Sequence, residues 1–192
     1  MRLICAVFCA TAAVGSSFWL PSVASATDVH CTADSDTDIT RVDGRTACRA
    51  ASGTEGRSHS AGFDGVGYAN ATSGAVAVGL GAAGGVGASE GVGGVPIAIG
   101  LGPDAIALTS LADVEGRPPA GVGLTIAMDG SRAQVSSTED TVVCLGSSAL
   151  AWNGATGAGC LATPLGVVRS TPPDRADSAD PKMSPEQQLR PE

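Results

Sequence analysis

Aromatic side chains make up only 3% of this 192-residue chain. Phe8, Phe18 and Trp19 fall in the first twenty residues, which leaves Phe63, Tyr68 and Trp152 for the rest. Sugar-binding and single-strand-binding surfaces depend on stacking platforms. Three rings, of which the interior is expected to take one or two, exclude such a surface. Lysine is rarer still: Lys182 is the single one, the arginines are scattered, and the net charge is −8. Phosphate backbones are held by clustered Lys and Arg, so nucleic acid is excluded as a partner. The sequence has no C-x-x-C pair and no zinc spacing among its cysteines. It has no G-x-S-x-G elbow of the kind that exposes a nucleophilic serine. Beyond residue 20, no apolar run reaches the ~20 residues a spanning helix needs.

What is present begins at the N-terminus. Met1-Arg2 is followed by an apolar stretch from Leu3 to Leu20, then Pro21 and Ala24-Ser25-Ala26. A short basic start, an apolar middle and small residues at −3 and −1 are the pattern of a secretory signal peptide. Residues 1–26 are read as that leader, cleaved between Ala26 and Thr27. The remaining chain would then lie outside the cytoplasm, secreted or held in the cell envelope, with no membrane span.

Four cysteines follow: Cys31, Cys48, Cys144 and Cys160. An even number in an exported chain argues for disulfides. Of the three connectivities, the local one, Cys31–Cys48 with Cys144–Cys160, is expected. Each loop would contribute about 3 kcal/mol in the chain-entropy account.

Residues 27–170 are expected to form one mainly β domain. The polar start holds "DITRV", read as a strand, and "TACRAA", read as a strand or one helical turn, separated by Asp43-Gly44. The segment 61–116 is rich in glycine, with 14 in the 42 residues from Ala61 to Gly102. Large apolar residues alternate there with Ala and Gly: Val76, Val78, Leu80; Ile97, Ile99, Leu101; Ile106, Leu108. Such alternation signals strands. "VAVGLG" at 76–81 returns as "IAIGLG" at 97–102, an offset of 21 residues. Short strands, glycine corners and small residues that let layers approach describe a glycine-rich β-solenoid or β-roll. A β-sandwich of short strands is the alternative. Five more short apolar runs occupy 121–168, with Gly116-Arg117-Pro118-Pro119 as a joint before them. Residues 171–192, with five prolines and many charges, are expected to be a disordered acidic tail.

Three motifs carry candidate chemistry. Gly79-Leu80-Gly81-Ala82-Ala83-Gly84 spells G-x-G-x-x-G, but a dinucleotide site needs a helix to open there. The glycines that follow would each cost a helix about 1 kcal/mol, and Gly100-Leu101-Gly102 repeats the pattern, so no cofactor is expected. Asp34, Asp36 and Asp38 begin a calcium loop, yet Ile39 stands where Gly is required and Arg45 where Glu is required. A weak extracellular calcium site on these three aspartates is one alternative. A secreted hydrolase using His59, beside Ser58, Ser60 and Asp64, or His30 is another. A non-catalytic role, with no catalytic, cofactor or metal residues, is the favoured reading.

The stretches from Ser60 to Leu111 and "GSRAQVSSTEDTVVCLG" resemble an uncharacterised family of small exported actinobacterial proteins, which implies no assigned activity. "AVAVGLGAA" and "PIAIGLGPDAIAL", within 75–109, are similar to the head repeats of trimeric autotransporter adhesins, which implies a β-roll. The favoured reading is therefore an envelope or extracellular interaction or structural protein of unknown partner, with nothing to forbid self-association.

Overall fold

The computed structural model describes residues 27–92, 94–110, 121–136 and 141–170. The expected leader, the joint at 116–119 and the tail 171–192 lie outside the described residues. Among those described there is no helix. The fifteen strands are β1 (Asp28–Asp34), β2 (Asp38–Asp43), β3 (Thr46–Ser52), β4 (Arg57–Phe63), β5 (Val66–Ala71), β6 (Val76–Ala82), β7 (Val86–Gly87), β8 (Val95–Leu101), β9 (Ile106–Thr109), β10 (Val122–Met128), β11 (Arg132–Val135), β12 (Val142–Leu145), β13 (Ala149–Asn153), β14 (Gly159–Thr163) and β15 (Gly166–Ser170).

They form two sheets. The eight-stranded sheet runs β1-β4-β6-β8-β10-β13-β14-β15 and the seven-stranded sheet β12-β11-β9-β7-β5-β3-β2. From β3 to β11 the chain alternates between sheets, and within each sheet the strands pair in parallel. Antiparallel strands close both ends: β1 on β4, β2 on β3, β12 on β11 and β13 on β10. "TACRAA" resolves as the strand β3, not a helical turn.

The repeat steps differently from the internal likeness. Val78 stacks on Ile97, not on Ile99, so the step between β6 and β8 is 19 residues instead of 21. The gap is an even number, so the same side chains face the same way in either alignment.

The alternation sorts side chains by size, with the small ones inside. The buried set is chiefly alanine: Ala50, Ala69, Ala71, Ala77, Ala98, Ala107, Ala127 and Ala133 are at 0% exposure. The bulkiest fully buried side chain is Val135. The two sheets can therefore approach until backbone meets backbone. A Cβ built on Gly79 would overlap the Tyr68 carbonyl oxygen, and one on Gly87 that of Leu80. Corners between sheets take positive φ, as at Gly74 (82°), Gly84 (86°) and Gly102 (87°). Such values suit glycine, which has no Cβ to clash.

Inward hydroxyls fill the remaining polar needs. Thr109 donates to the Ile97 carbonyl at 2.8 Å and accepts from Thr125 at 2.6 Å, while Ser89 donates to the Pro96 carbonyl at 2.8 Å. At the other end, the hydroxyls of Ser52, Ser58 and Ser60 are buried with no protein partner.

Both expected disulfides are present, and each ties one sheet to the other. Cys31 of β1 bonds Cys48 of β3 with a Cα–Cα distance of 5.8 Å, and Cys144 of β12 bonds Cys160 of β14 at 5.9 Å. They sit at opposite ends of the stack, where the pairing pattern turns antiparallel. Disulfides of this kind persist in oxidising surroundings.

Candidate interaction surface

Because the small residues point inward, the large ones point out, and on the eight-stranded sheet they align across strands. One row runs Val78, Ile97, Leu124, Trp152. The next runs Leu80, Ile99, Ile126, Leu150, Leu161, Val168. Cross-strand contact between β-branched and aliphatic neighbours stabilises the sheet itself and leaves most of these residues half-buried. Trp152 keeps 43% of its surface exposed, Leu161 44% and Met128 42%. No outward position on β6, β8, β10, β13 or β14 carries a charge. Charged and titratable groups gather instead at the flank, on β1 and β4: Asp28, His30, Asp34, Arg57 and His59.

The outer face of the seven-stranded sheet is different. Arg49 donates from Nε and Nη2 to the two carboxylate oxygens of Asp38, at 3.2 and 2.7 Å, and lies over the Tyr68 ring at 5.9 Å. The hydrogen bonds from Arg49 hold the Asp38 carboxyl below its ordinary range. Burial, with the charge of Glu90, pushes the Tyr68 phenol up. Arg132 and Gln134 are exposed on the same sheet. One repeat geometry thus presents an uncharged apolar face and a mixed one, on which Val66, Val86, Ile106, Leu108 and Leu145 stand outward among the charged and polar groups.

The apolar face is dimpled. A depression of about 280 Å³ is lined by Leu150, Trp152, Gly159, Leu161 and Val168, and another of about 360 Å³ by Ile126, Met128, Leu150, Leu161 and Pro164. A third, of about 160 Å³, lies at the β1 flank against His30, Thr32, His59 and Leu80.

That flank holds both histidines, which lie on neighbouring strands and face outward. His59 Nδ1 is 3.5 Å from the Thr32 hydroxyl, and His30 Nε2 is 3.4 Å from Asp28. Phe63 meets the His30 ring edge-on, with centroids 5.2 Å apart. Ser58 and Ser60 point to the interior, because neighbours in a strand face opposite ways. Asp64 is engaged by Arg45 at 3.0 Å. The serine, histidine and aspartate next to one another in sequence are therefore not brought together.

Asp34, Asp36 and Asp38 also diverge. Asp34 faces Arg57 at 3.8 Å, Asp36 accepts from the Thr54 hydroxyl at 3.4 Å, and Asp38 is held by Arg49. Among the described residues no three His, Cys, Asp or Glu side chains come together as a metal site. G-x-G-x-x-G lies on β6 and the turn after it, with no helix opening at Gly81.

Phe63, Tyr68 and Trp152 all face outward, and none is fully buried. Phe63 is 37% exposed, against the expectation that the interior would take one or two. An interior fitted to alanine has no room for a ring, so they stand on the outer faces. Sequence reading missed the apolar face as a surface. Its signal was the absence of charge at the large positions from Val76 to Met128.

No helix of the described residues is long and apolar enough to cross a membrane. The chain belongs to a family of unknown function, DUF6764, whose model matches residues 1–163. No curated protein and no solved structure matches the chain.

Proposed function

We propose that the protein is an exported, non-catalytic interaction protein of the envelope or extracellular space, working through the outer face of its eight-stranded sheet. The observation that carries this reading is the uncharged surface of Val, Ile and Leu rows on that sheet, set against a mixed surface on the other, where Asp38, Arg49 and Arg132 stand among apolar side chains. Contiguous exposed apolar patches above a few hundred Å² mark interaction sites on soluble proteins. The leader pattern at 1–26 with its Ala26–Thr27 junction, and two disulfides, support export. The domain spans 27–170, and the acidic segment 171–192 follows it as a solvated tail. We read the sheet-to-sheet winding as a flattened β-solenoid capped by antiparallel strands; the parallel ladders and the 19-residue step favour it over a sandwich of hairpins. The likeness of 75–109 to adhesin head repeats fits the same architecture.

The hydrolase and calcium readings have no geometry in their favour, since His59 turns away from its serines and the three aspartates part. The test has two arms. Mass spectrometry of culture medium and envelope fractions is expected to find a chain beginning at Thr27 with four oxidised cysteines. Purified protein is expected to be retained on envelope material, and Ile99→Asp to abolish retention while Gln134→Asp does not. A chain found in the cytoplasm with free thiols, or retention indifferent to Ile99, defeats the reading.

A further inference from the structure

Resting on that reading, we propose that the occupant of the apolar face is a second copy of the same chain, packed sheet to sheet about a two-fold axis.

The area fits. Strands are spaced about 4.8 Å apart and rise about 3.3 Å per residue. β6, β8 and β10 are then about 23 Å long and β13 and β14 about 17 Å, so the charge-free part covers about 500 Å², and Ala61 and Phe63 on β4 with Val168 on β15 raise it to about 600 Å². This is about 600 Å² per copy, or about 1,200 Å² for two copies, the lower end of what a stable interface buries. The area per copy lies at the upper end of the largest apolar patch a monomeric protein carries, and such patches are often functional.

The chemistry points to self-pairing. The face has no charge to select a charged partner; among the described residues the titratable groups stand at its borders, on the β1 flank and at Asp129 and Arg169. A matching surface must be flat, pleated and apolar, as the outer face of a second eight-stranded sheet is. Two such sheets pack about 10 Å apart with side chains interdigitating. The face also carries a depression walled by Leu150, Trp152, Leu161 and Val168, with Trp152 left 43% exposed. Buried tryptophans seated in pockets dominate interface energies. The chain's own tail is a poor cover, because 171–192 contains just two large aliphatic side chains, Met183 and Leu189.

Sedimentation equilibrium of the disulfide-bonded protein as recovered from a secreting host tests this. The expected mass is twice that of the chain at about 10–100 µM. Ile99→Asp, which places a carboxylate at the centre of the face, is expected to weaken association on the order of 100-fold or more and to give the single-chain mass. Gln134→Asp, on the other sheet, leaves the doubled mass. Trp152 is the one tryptophan beyond residue 26, so its emission shifts to the blue on association and to the red on dilution, in step with the mass. This wild-type dilution series stands even where Ile99→Asp fails to fold. A single-chain mass at about 100 µM overturns the proposal, as does an association that Ile99→Asp leaves intact. Flotation of single chains with phosphatidylcholine vesicles overturns it too, and assigns the face to lipid. Envelope retention of a single-chain protein, lost in Ile99→Asp, keeps the function and removes the dimer; a dimer without retention does the reverse.

Discussion

Gly79→Ala adds one methyl group at the tightest point between the sheets. Gly79 sits inward on β6, and its added Cβ would overlap the Tyr68 carbonyl oxygen, lie 2.6 Å from the Tyr68 carbonyl carbon and 3.1 Å from its nitrogen. All three are backbone atoms of β5 in the facing sheet, so no side-chain rotation relieves the clash. The sheets must part locally, and alanine contacts between them go with the separation. Overfilling a packed interior costs about 1–3 kcal/mol, occasionally more; an obstacle made wholly of backbone places Gly79→Ala at about 3 kcal/mol. The matched control is Gly74→Ala. Gly74 has a φ of 82° but nothing within 4 Å of its added Cβ. It is charged only the conformational cost of about 1 kcal/mol. Each kcal/mol moves the melting temperature of a domain this size by about 2–4 °C. Thermal unfolding of the oxidised protein, followed by far-ultraviolet circular dichroism, should show a loss on the order of 10 °C for Gly79→Ala and about a third of that for Gly74→Ala. An equal or smaller loss at Gly79 would refute the claim that backbone-to-backbone approach sets the packing.

Replacing Cys144 and Cys160 with serine should cost about 3 kcal/mol in urea unfolding. The same pair of changes at Cys31 and Cys48 should cost a similar amount, and the two costs should add because the bridges occupy opposite ends. Ser58→Ala should stabilise the protein by about 1 kcal/mol, because it removes a buried hydroxyl with no protein partner; a loss of stability would mean that the hydroxyl is satisfied. Asp38 is held below its ordinary value of 3.8 by Arg49. A lowered folded pKa contributes stability above the unfolded value that is lost as pH falls through the folded one. The stability gap between the native protein and Arg49→Met should therefore be full near neutrality and close on acidification below about pH 4, as read by urea midpoints across pH. EDTA should leave the melting temperature unchanged, and so should Asp36→Ala with and without calcium; a calcium-dependent rise lost in Asp36→Ala would restore the metal reading.

The strands were legible because their period is local. Val76, Val78 and Leu80 declare an extended segment by themselves, and Gly84 or Gly102 declares the corner that ends it. The disulfides were legible because four cysteines in two short-range pairs leave little choice once export is assumed. The direction of the alternation was not written in it, since a large–small rhythm fits either face inward. It is decided by distance between sheets, a tertiary quantity set jointly by Gly79 against Tyr68 and Gly87 against Leu80. The 19-residue step was hidden for a related reason: "VAVGLG" and "IAIGLG" align best at 21, but hydrogen bonding chose the register that brings Gly81 beside Gly100. His59 offered a hydrolase only as an alternative, and its neighbours Ser58 and Ser60, close in sequence, lie on the other side of the sheet.

Placing the small residues inside has an energetic consequence that links the fold to its surface. Burial stabilises in proportion to apolar area removed from water, about 25 cal/mol per Å², and an alanine offers little of it. An interior whose bulkiest fully buried side chain is Val135 draws correspondingly little from the hydrophobic effect. The deficit is met by continuous backbone ladders, by two bridges that join the sheets at either end, and by the outer rows of Val, Ile and Leu. Those rows recover only half their burial within one chain. Covering the eight-stranded face would bury the other half, whereas on the opposite face the charges of Asp38, Arg49 and Arg132 would have to be buried along with the apolar side chains. A protein built this way should gain melting temperature with its own concentration, since binding that favours the folded state stabilises it by mass action. Ile99→Asp should abolish that dependence. A melting temperature independent of concentration would mean that the ladders and bridges suffice alone.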